Sequence, residues 1–195
     1  RRQRQMCIRD RSLAEDRSHV DSVVVISDHL KVKHKNKLIL GPPINIERFK
    51  PFGIGKVIGT IARFSNEKNL NYILELAQNM PKYKFMIIGD GVLKQNFIYN
   101  MKKRNIKNIE ILGFQKDIEN YYPKFGAFVL PSIIEGLPIT ILEALSCNIP
   151  VFATPVGGIS KLIDLGYIKE LTLDSAVDSE NIKKGNGKAK NTREY

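Results

Sequence analysis

Between Lys56 and Leu165 the chain repeats one pattern: a short apolar run, a turn rich in Gly or polar residues, then a stretch with helical spacing. The apolar runs are Lys56 to Ala62, Phe85 to Ile88, Ile109 to Leu112, Ala127 to Leu130 and Pro150 to Ala153. Between them, Lys68 to Met80 puts Leu70, Ile73, Leu74 and Ala77 on one helical face. Val92 to Arg104, Asp117 to Tyr122, Pro138 to Cys147 and Ser160 to Leu165 read as further helices. Strands this short and this continuously apolar are buried on both faces, and alternation with helices makes them parallel. The pattern predicts an α/β domain built on a doubly wound parallel sheet. In such a sheet, groups at the carboxyl ends of the strands share one crevice.

The flanks are less regular. Residues 1–12, R-R-Q-R-Q-M-C-I-R-D-R-S, lack periodicity and look foreign to the Ile-, Lys- and Asn-rich remainder. They resemble translated adapter sequence and are expected to be non-native or disordered. Residues 20–30 read as a strand running into a turn, and Lys37 to Leu40 as a second short run. Pro42, Pro43 and Pro51 exclude a helix and predict a connector over 41–54. The regular domain is expected over 55–175 and a disordered tail over 176–195.

Charge and cysteine usage narrow the function classes. Of the net +11, residues 1–12 and 183–195 each carry +4, leaving +3 for the 170 residues between. The basic character lies mostly in the two ends, so a specific nucleic-acid surface is not expected. Cys7 and Cys147 are far apart, which argues for a reducing, cytoplasmic setting rather than a disulfide framework. No run reaches membrane-spanning length. Neither a metal-ligand spacing nor a D-x-D motif occurs, so no metal is expected.

Four turns would deliver polar groups to the crevice. The first holds Arg63 and Lys68, the second Gly89, Asp90 and Gly91. The third holds Gly113, Phe114 and Asp117. The fourth opens P-S-I-I-E-G-L-P-I-T-I-L-E-A-L, with Glu135 and Glu143 bracketing seven residues. A helix starting near Pro138 would aim the amides of Gly136 to Ile139 at an anion. Two cations, a helix N-terminus and carboxylates suit a ligand with phosphates and hydroxyls. Each feature alone has a plainer reading. Arg63 and Lys68 could be a solvated pair, and Glu143 could serve the helix dipole. Gly89-Asp90-Gly91 could be only a turn, as could Glu135 beside Gly136. Asp117 is expected to cap the short helix after Phe114.

Together, I-A-R-F-S-N-E-K-N-L, I-I-G-D-G, I-L-G-F-Q-K-D-I and P-S-I-I-E-G-L-P-I-T-I-L-E-A-L-S-C-N-I-P-V-F-A-T-P-V-G-G resemble group 1 (family 4) glycosyltransferases. These are retaining enzymes of the GT-B fold, whose C-terminal half is Rossmann-like and binds a nucleotide-diphospho-sugar donor. The resemblance covers residues 20–170. It implies that Arg63 and Lys68 hold the diphosphate, Glu135 meets the donor sugar and Glu143 takes the ribose hydroxyls. Gly136, Leu137, Pro138 and Ile139 would line the sugar and phosphate. Phe114 and Ile118 would flank the base, with Gly89, Asp90 and Gly91 beside the donor. The acceptor would be a glycan or lipid-linked sugar, and peripheral contact with the inner face of the membrane is expected.

The resemblance has gaps. Residues 13–40 match only the last strand and turn of the family's N-terminal acceptor domain. Lys161 stands where the family commonly has Glu after Gly157-Gly158. The chain therefore reads as a fragment expected to bind donor but to transfer little alone. The alternative is a non-catalytic nucleotide-sugar-binding subunit that pairs with a separate acceptor-domain chain. A nucleotide-sugar epimerase would need further carboxylates and His in the crevice, which the sequence does not supply.

Overall fold

The computed structural model describes residues 47–49 and 55–185 in full and, before them, the backbone of three strands. Those are β1 (Gln5–Ile8), β2 (Ser22–Val25) and β3 (Lys37–Ile39), paired in parallel in that order. β2 and β3 fall inside the two runs read as extended. β1 corrects the expectation of disorder for part of residues 1–12. Its ladder to β2 is made by main-chain groups, which need no side-chain periodicity. Most of the 41–54 connector and all of 186–195 lie outside the described residues.

The main domain carries β4 (Val57–Ile61), α1 (Asn71–Asn79), β5 (Lys84–Ile88), α2 (Lys94–Lys103) and β6 (Ile109–Gly113). It continues with β7 (Phe125–Leu130), α3 (Ile139–Ser146), β8 (Val151–Ala153), α4 (Ile159–Asp164), β9 (Lys169–Glu170) and α5 (Ser175–Gly185). Six strands form one parallel sheet in the order β6-β5-β4-β7-β8-β9. The chain winds outward from β4 to β6, then returns to the centre and winds out the other way from β7. The switch point, where open α/β sheets bind ligands, thus lies between β4 and β7.

Alternation along the strands feeds two apolar layers. Phe85 and Ile87 of β5, with Ala127 and Val129 of β7, face the layer containing α1, Phe97 of α2 and Ile182 of α5. Met86, Ile88, Phe128 and Leu130 face the layer containing Ile141 of α3 and Ile159 of α4. Every residue of β7 is buried, as a central parallel strand requires. Two details lock β4 to β7. Thr60, 1% exposed, donates its hydroxyl to the Val129 carbonyl at 2.9 Å. A Cβ on Gly59 would lie 2.5 Å from the Phe125 ring, so glycine lets that ring cross the strand.

Several elements differ from the sequence reading. The helix expected from Lys68 begins at Asn71, because Asn69 turns left-handed at φ 48° after a 3-10 turn over Asn66–Lys68. The helix expected from Asp117 to Tyr122 is two 3-10 turns, Ile118–Asn120 and Tyr122–Lys124. Pro123 disfavours α geometry at Tyr122 and lacks an N–H, so a longer helix cannot form there. Two-residue β9 is an exposed edge with no apolar signature.

The largest correction is α5, which occupies residues expected to be disordered. Asp174 caps it through the amides of Ala176 at 3.0 Å and Val177 at 3.3 Å. Asp178 is fully buried and accepts hydrogen bonds from the Tyr72 hydroxyl of α1 and the Thr172 hydroxyl. It also accepts from the amides of Thr172 at 3.0 Å and Leu173 at 3.1 Å. The polar sequence hid this helix because hydrogen bonds, as much as Ile182, dock it. Replacing Asp178 with Ala leaves the buried Tyr72 hydroxyl and the part-buried donors of Thr172 and Leu173 without their acceptor. Urea unfolding of the chain should then show a loss of about 2–3 kcal/mol. Glu180→Ala, which removes an exposed pair with Lys183 on the same helix, should leave the midpoint in place.

Candidate active site

The loops after β4 and β5 are pressed together by glycine. Gly89 and Gly91 adopt φ of 143° and 153°. A Cβ on Gly89 would lie 2.0 Å from the Ala62 carbonyl oxygen, and one on Gly91 would lie 2.5 Å from that of Phe64. This contact is sealed by the amide of Phe64 donating to the Asp90 carbonyl at 3.0 Å. The bare Gly91 also lets the Arg63 stem pass close over it, with the guanidinium end exposed. Asp90 turns inward on its own loop, taking the Gly91 amide and Lys94 Nζ, each at 2.8 Å. Lys94 first, then that amide, hold its carboxyl below the usual carboxylate range.

Across the switch point, the loop after β7 brings Glu135 to Lys68. Lys68 Nζ donates to Glu135 Oε1, and the Ser132 hydroxyl donates to the same oxygen at 2.7 Å. The Lys68 and Glu135 side chains are 21% and 8% exposed, so the pair is largely shielded yet reachable. The loop is braced on both sides. Its Ile133 amide donates to the Glu67 carbonyl at 2.7 Å, and the Gly158 amide donates to the Gly136 carbonyl at 2.7 Å. Gly157, at φ 57°, packs so tightly that a Cβ would lie 2.0 Å from the Glu135 carbonyl oxygen. Ser132 is buried, with its carbonyl bound by the Thr154 hydroxyl.

α3 then starts at Ile139, 43% exposed, with extended Pro138 as its cap residue and no side chain bonded to its first amides. Gly136, Leu137 and Pro138 are half-buried along the loop that leads there. Glu143 lies one turn on, 7% exposed. Its Oε2 accepts the Tyr122 hydroxyl at 2.7 Å, which also reaches the Thr140 carbonyl at 3.2 Å. Burial raises the Glu143 carboxyl above its usual range, against the opposing pull of Tyr122 and Arg48. Burial likewise pushes the neighbouring Cys147 thiol up to about 12. A dipole role does not fit Glu143, which lies beyond the first turn of α3.

After β6, Phe114 stands 76% exposed, while Ile118 packs partly buried on the second apolar layer. Asp117 makes no side-chain cap, contrary to expectation; its backbone carbonyl, not its carboxylate, accepts the Asn120 amide at 3.2 Å. The structure thus joins Lys68 and Glu135 at the switch point, lays the Arg63 stem over Gly91 on the neighbouring loop and seats Glu143 on the helix beyond. Tyr122, Ser132 and Thr154 went unnoticed in the sequence. Only Ser132 left a trace there, three residues before Glu135. Among the described residues, no group of three or more His, Cys, Asp or Glu is placed to hold a metal ion, and no helix is long and apolar enough to cross a membrane.

A family model described as glycosyl transferases group 1 matches residues 44–191. The chain is 33% identical over 135 residues to a UDP-Gal:alpha-D-GlcNAc-diphosphoundecaprenol alpha-1,3-galactosyltransferase of Escherichia coli, covering 63% of this chain and 35% of the relative. It is 27% identical over 148 residues to the putative glycosyltransferase EpsF of Bacillus subtilis, covering 71% and 38%. Among solved structures it resembles Anabaena HepE in complex with UDP-glucose, with a TM-score of 0.74 at 19% identity over 86% of this chain and 54% of that one. It also resembles S. aureus TarM, with a TM-score of 0.77 at 19% identity over 93% and 43%. At such identities the likeness establishes the fold, that of GT-B glycosyltransferases. The chain spans 35–38% of the length of the curated relatives named first by similarity. Matched by the family model over most of its length, the chain belongs to the group 1 glycosyltransferases.

Proposed function

We propose that this chain holds the nucleotide-sugar donor for a retaining transferase. The enzyme would add a hexosyl group to a glycan or lipid-linked acceptor in cell-surface polysaccharide or lipopolysaccharide assembly, in the cytoplasm at the inner face of the membrane. The observation that carries this reading is the Lys68–Glu135 pair, which bridges the β4–β7 switch point beside the open N-terminus of α3. Names of relatives that use UDP-linked sugars, and the UDP-glucose complex of Anabaena HepE, support the ligand class.

Each group has a role that its surroundings permit. Lys68 uses one of three N–H donors on Glu135 and keeps two for the diphosphate. Arg63, exposed above Gly91, forks onto phosphate oxygens. The first amides of α3 add fixed positive potential. Glu135 takes a hydroxyl of the donor sugar, Glu143 takes ribose hydroxyls, and exposed Phe114 covers the base. As the bond from the anomeric carbon to the diphosphate breaks, Arg63, Lys68 and the helix amides meet the charge growing on the leaving oxygen. The acceptor hydroxyl attacks from the same face and passes its proton to that phosphate oxygen. No step requires a metal ion.

Thermal-shift titration with UDP, GDP and ADP tests the reading directly, because a bound ligand stabilises by about 2.7 kcal/mol at a hundred times its dissociation constant. One of the three should raise the melting temperature, and Lys68→Ala should weaken it by about 10- to 100-fold. No shift with any of them sinks the proposal.

Glu143→Gln offers a second check. The folded-state pKa of Glu143 is raised, so the wild type gains stability from it at low pH and loses that gain as pH rises through the folded value. Gln keeps the acceptor for Tyr122 without a buried charge. The variant should therefore melt higher than wild type at pH 7.5 and equal to it near pH 3, while binding the nucleotide less tightly. A variant both less stable at pH 7.5 and unchanged in binding would remove Glu143 from the site.

A further inference from the structure

The segment 47–49 touches the nucleoside side of the site at two points. Phe49, 5% exposed, sets its ring edge-on to Tyr122, with centroids 5.4 Å apart. Arg48 pairs with Glu119, which follows Ile118 in the 3-10 turn below Phe114. Tyr122 itself is fully buried, between Phe49 on one side and Phe125 and Phe128 on the others. Its hydroxyl ends on Glu143 Oε2. One short stretch of the connector therefore reaches the candidate ribose carboxylate through Tyr122 and the candidate base-flanking turn through Glu119.

We propose that Tyr122 and Arg48 are positioning residues through which the connector sets the ribose grip of Glu143, so that nucleotide binding and connector placement are coupled. This rests on the nucleotide-binding reading above and goes beyond it by naming what orients its carboxylate. The Tyr122 ring is clamped by three aromatic neighbours, so its hydroxyl cannot shift without moving Phe49. The charges facing Glu143 act the same way. Tyr122 and Arg48 favour its anionic form and Glu119 opposes it, while Cys147 on α3 is neutral at physiological pH. Removing Arg48 leaves Glu119 uncompensated and drives Glu143 toward the neutral acid, a poorer acceptor for hydroxyls.

The test is a double cycle. The probe is whichever of UDP, GDP and ADP binds tightest, together with its 2′,3′-dideoxy form, titrated calorimetrically into wild type, Tyr122→Phe and Arg48→Ala. If Tyr122 acts through Glu143 on the ribose, Tyr122→Phe weakens the natural nucleotide about tenfold and leaves the dideoxy form unchanged. Arg48→Ala, an exposed site that spares the core, should shift the same ratio in the same direction and move the pH midpoint of binding upward. Hydrogen exchange at Arg48 and Phe49 should slow on nucleotide binding in wild type and less so in Tyr122→Phe. Equal losses for both ligands would make Tyr122 a core residue only and overturn the inference. So would connector exchange that ignores the nucleotide. If no nucleotide binds wild type, the donor-binding reading falls as well, an outcome distinct from binding without coupling.

Discussion

Strands β4 and β7 lie side by side at the centre of the sheet, although two helices, two strands and three 3-10 turns separate them along the chain. Parallel pairing forces both to end at the same edge. The loops that leave them must then diverge, because the chain winds in opposite directions from each. That divergence opens a gap which is bridged at two points, one by side chains and one by main chain. Lys68 crosses it to Glu135, and the Ile133 amide crosses it to the Glu67 carbonyl. The rest of the site is arranged around these two bridges: glycines close the loops on either flank, and α3 starts where the Glu135 loop ends.

Much of this was legible in the sequence because it rests on local or periodic signals. The runs of β4, β5 and β7 are apolar enough to require burial on both faces, and each is followed by the polar turn that supplies the site. Glu135 and Glu143 announced themselves by spacing. What stayed hidden depends on long-range contact. In α5, Asp178 binds donors from the preceding loop and from Tyr72 of α1, and no pattern within residues 175–185 reveals that distant Tyr72 partner. Asp117 carries the residue type of a cap without the geometry of one. Tyr122 looks like any aromatic before a proline until the fold sets its hydroxyl against Glu143.

Glu143 and Asp178 show two ways in which the fold treats a buried carboxylate. Asp178 is buried with four donors gathered around it. Glu143 is nearly as buried, yet the fold supplies one phenol and a more distant guanidinium, and its carboxyl is raised as a result. A carboxylate left short of donors in a nearly closed site retains capacity for hydroxyls brought by something else. The contrast between two acids in one small domain is a local physical signature, independent of any likeness to other proteins.

Gly157 carries a consequence for redesign. Its missing side chain puts the β8 loop in direct contact with the backbone of Glu135, so the position of that acid is set by main chain meeting main chain. Side-chain repacking nearby cannot translate it; only a change in the path of the loop could. Under the proposed role of Glu135, variation in which sugar is accepted has to occur around a fixed carboxylate, at exposed neighbours such as Ile133, Ile134 and Ile139. The domain separates an immobile anchor from an adjustable rim, and a new specificity would be sought in the rim.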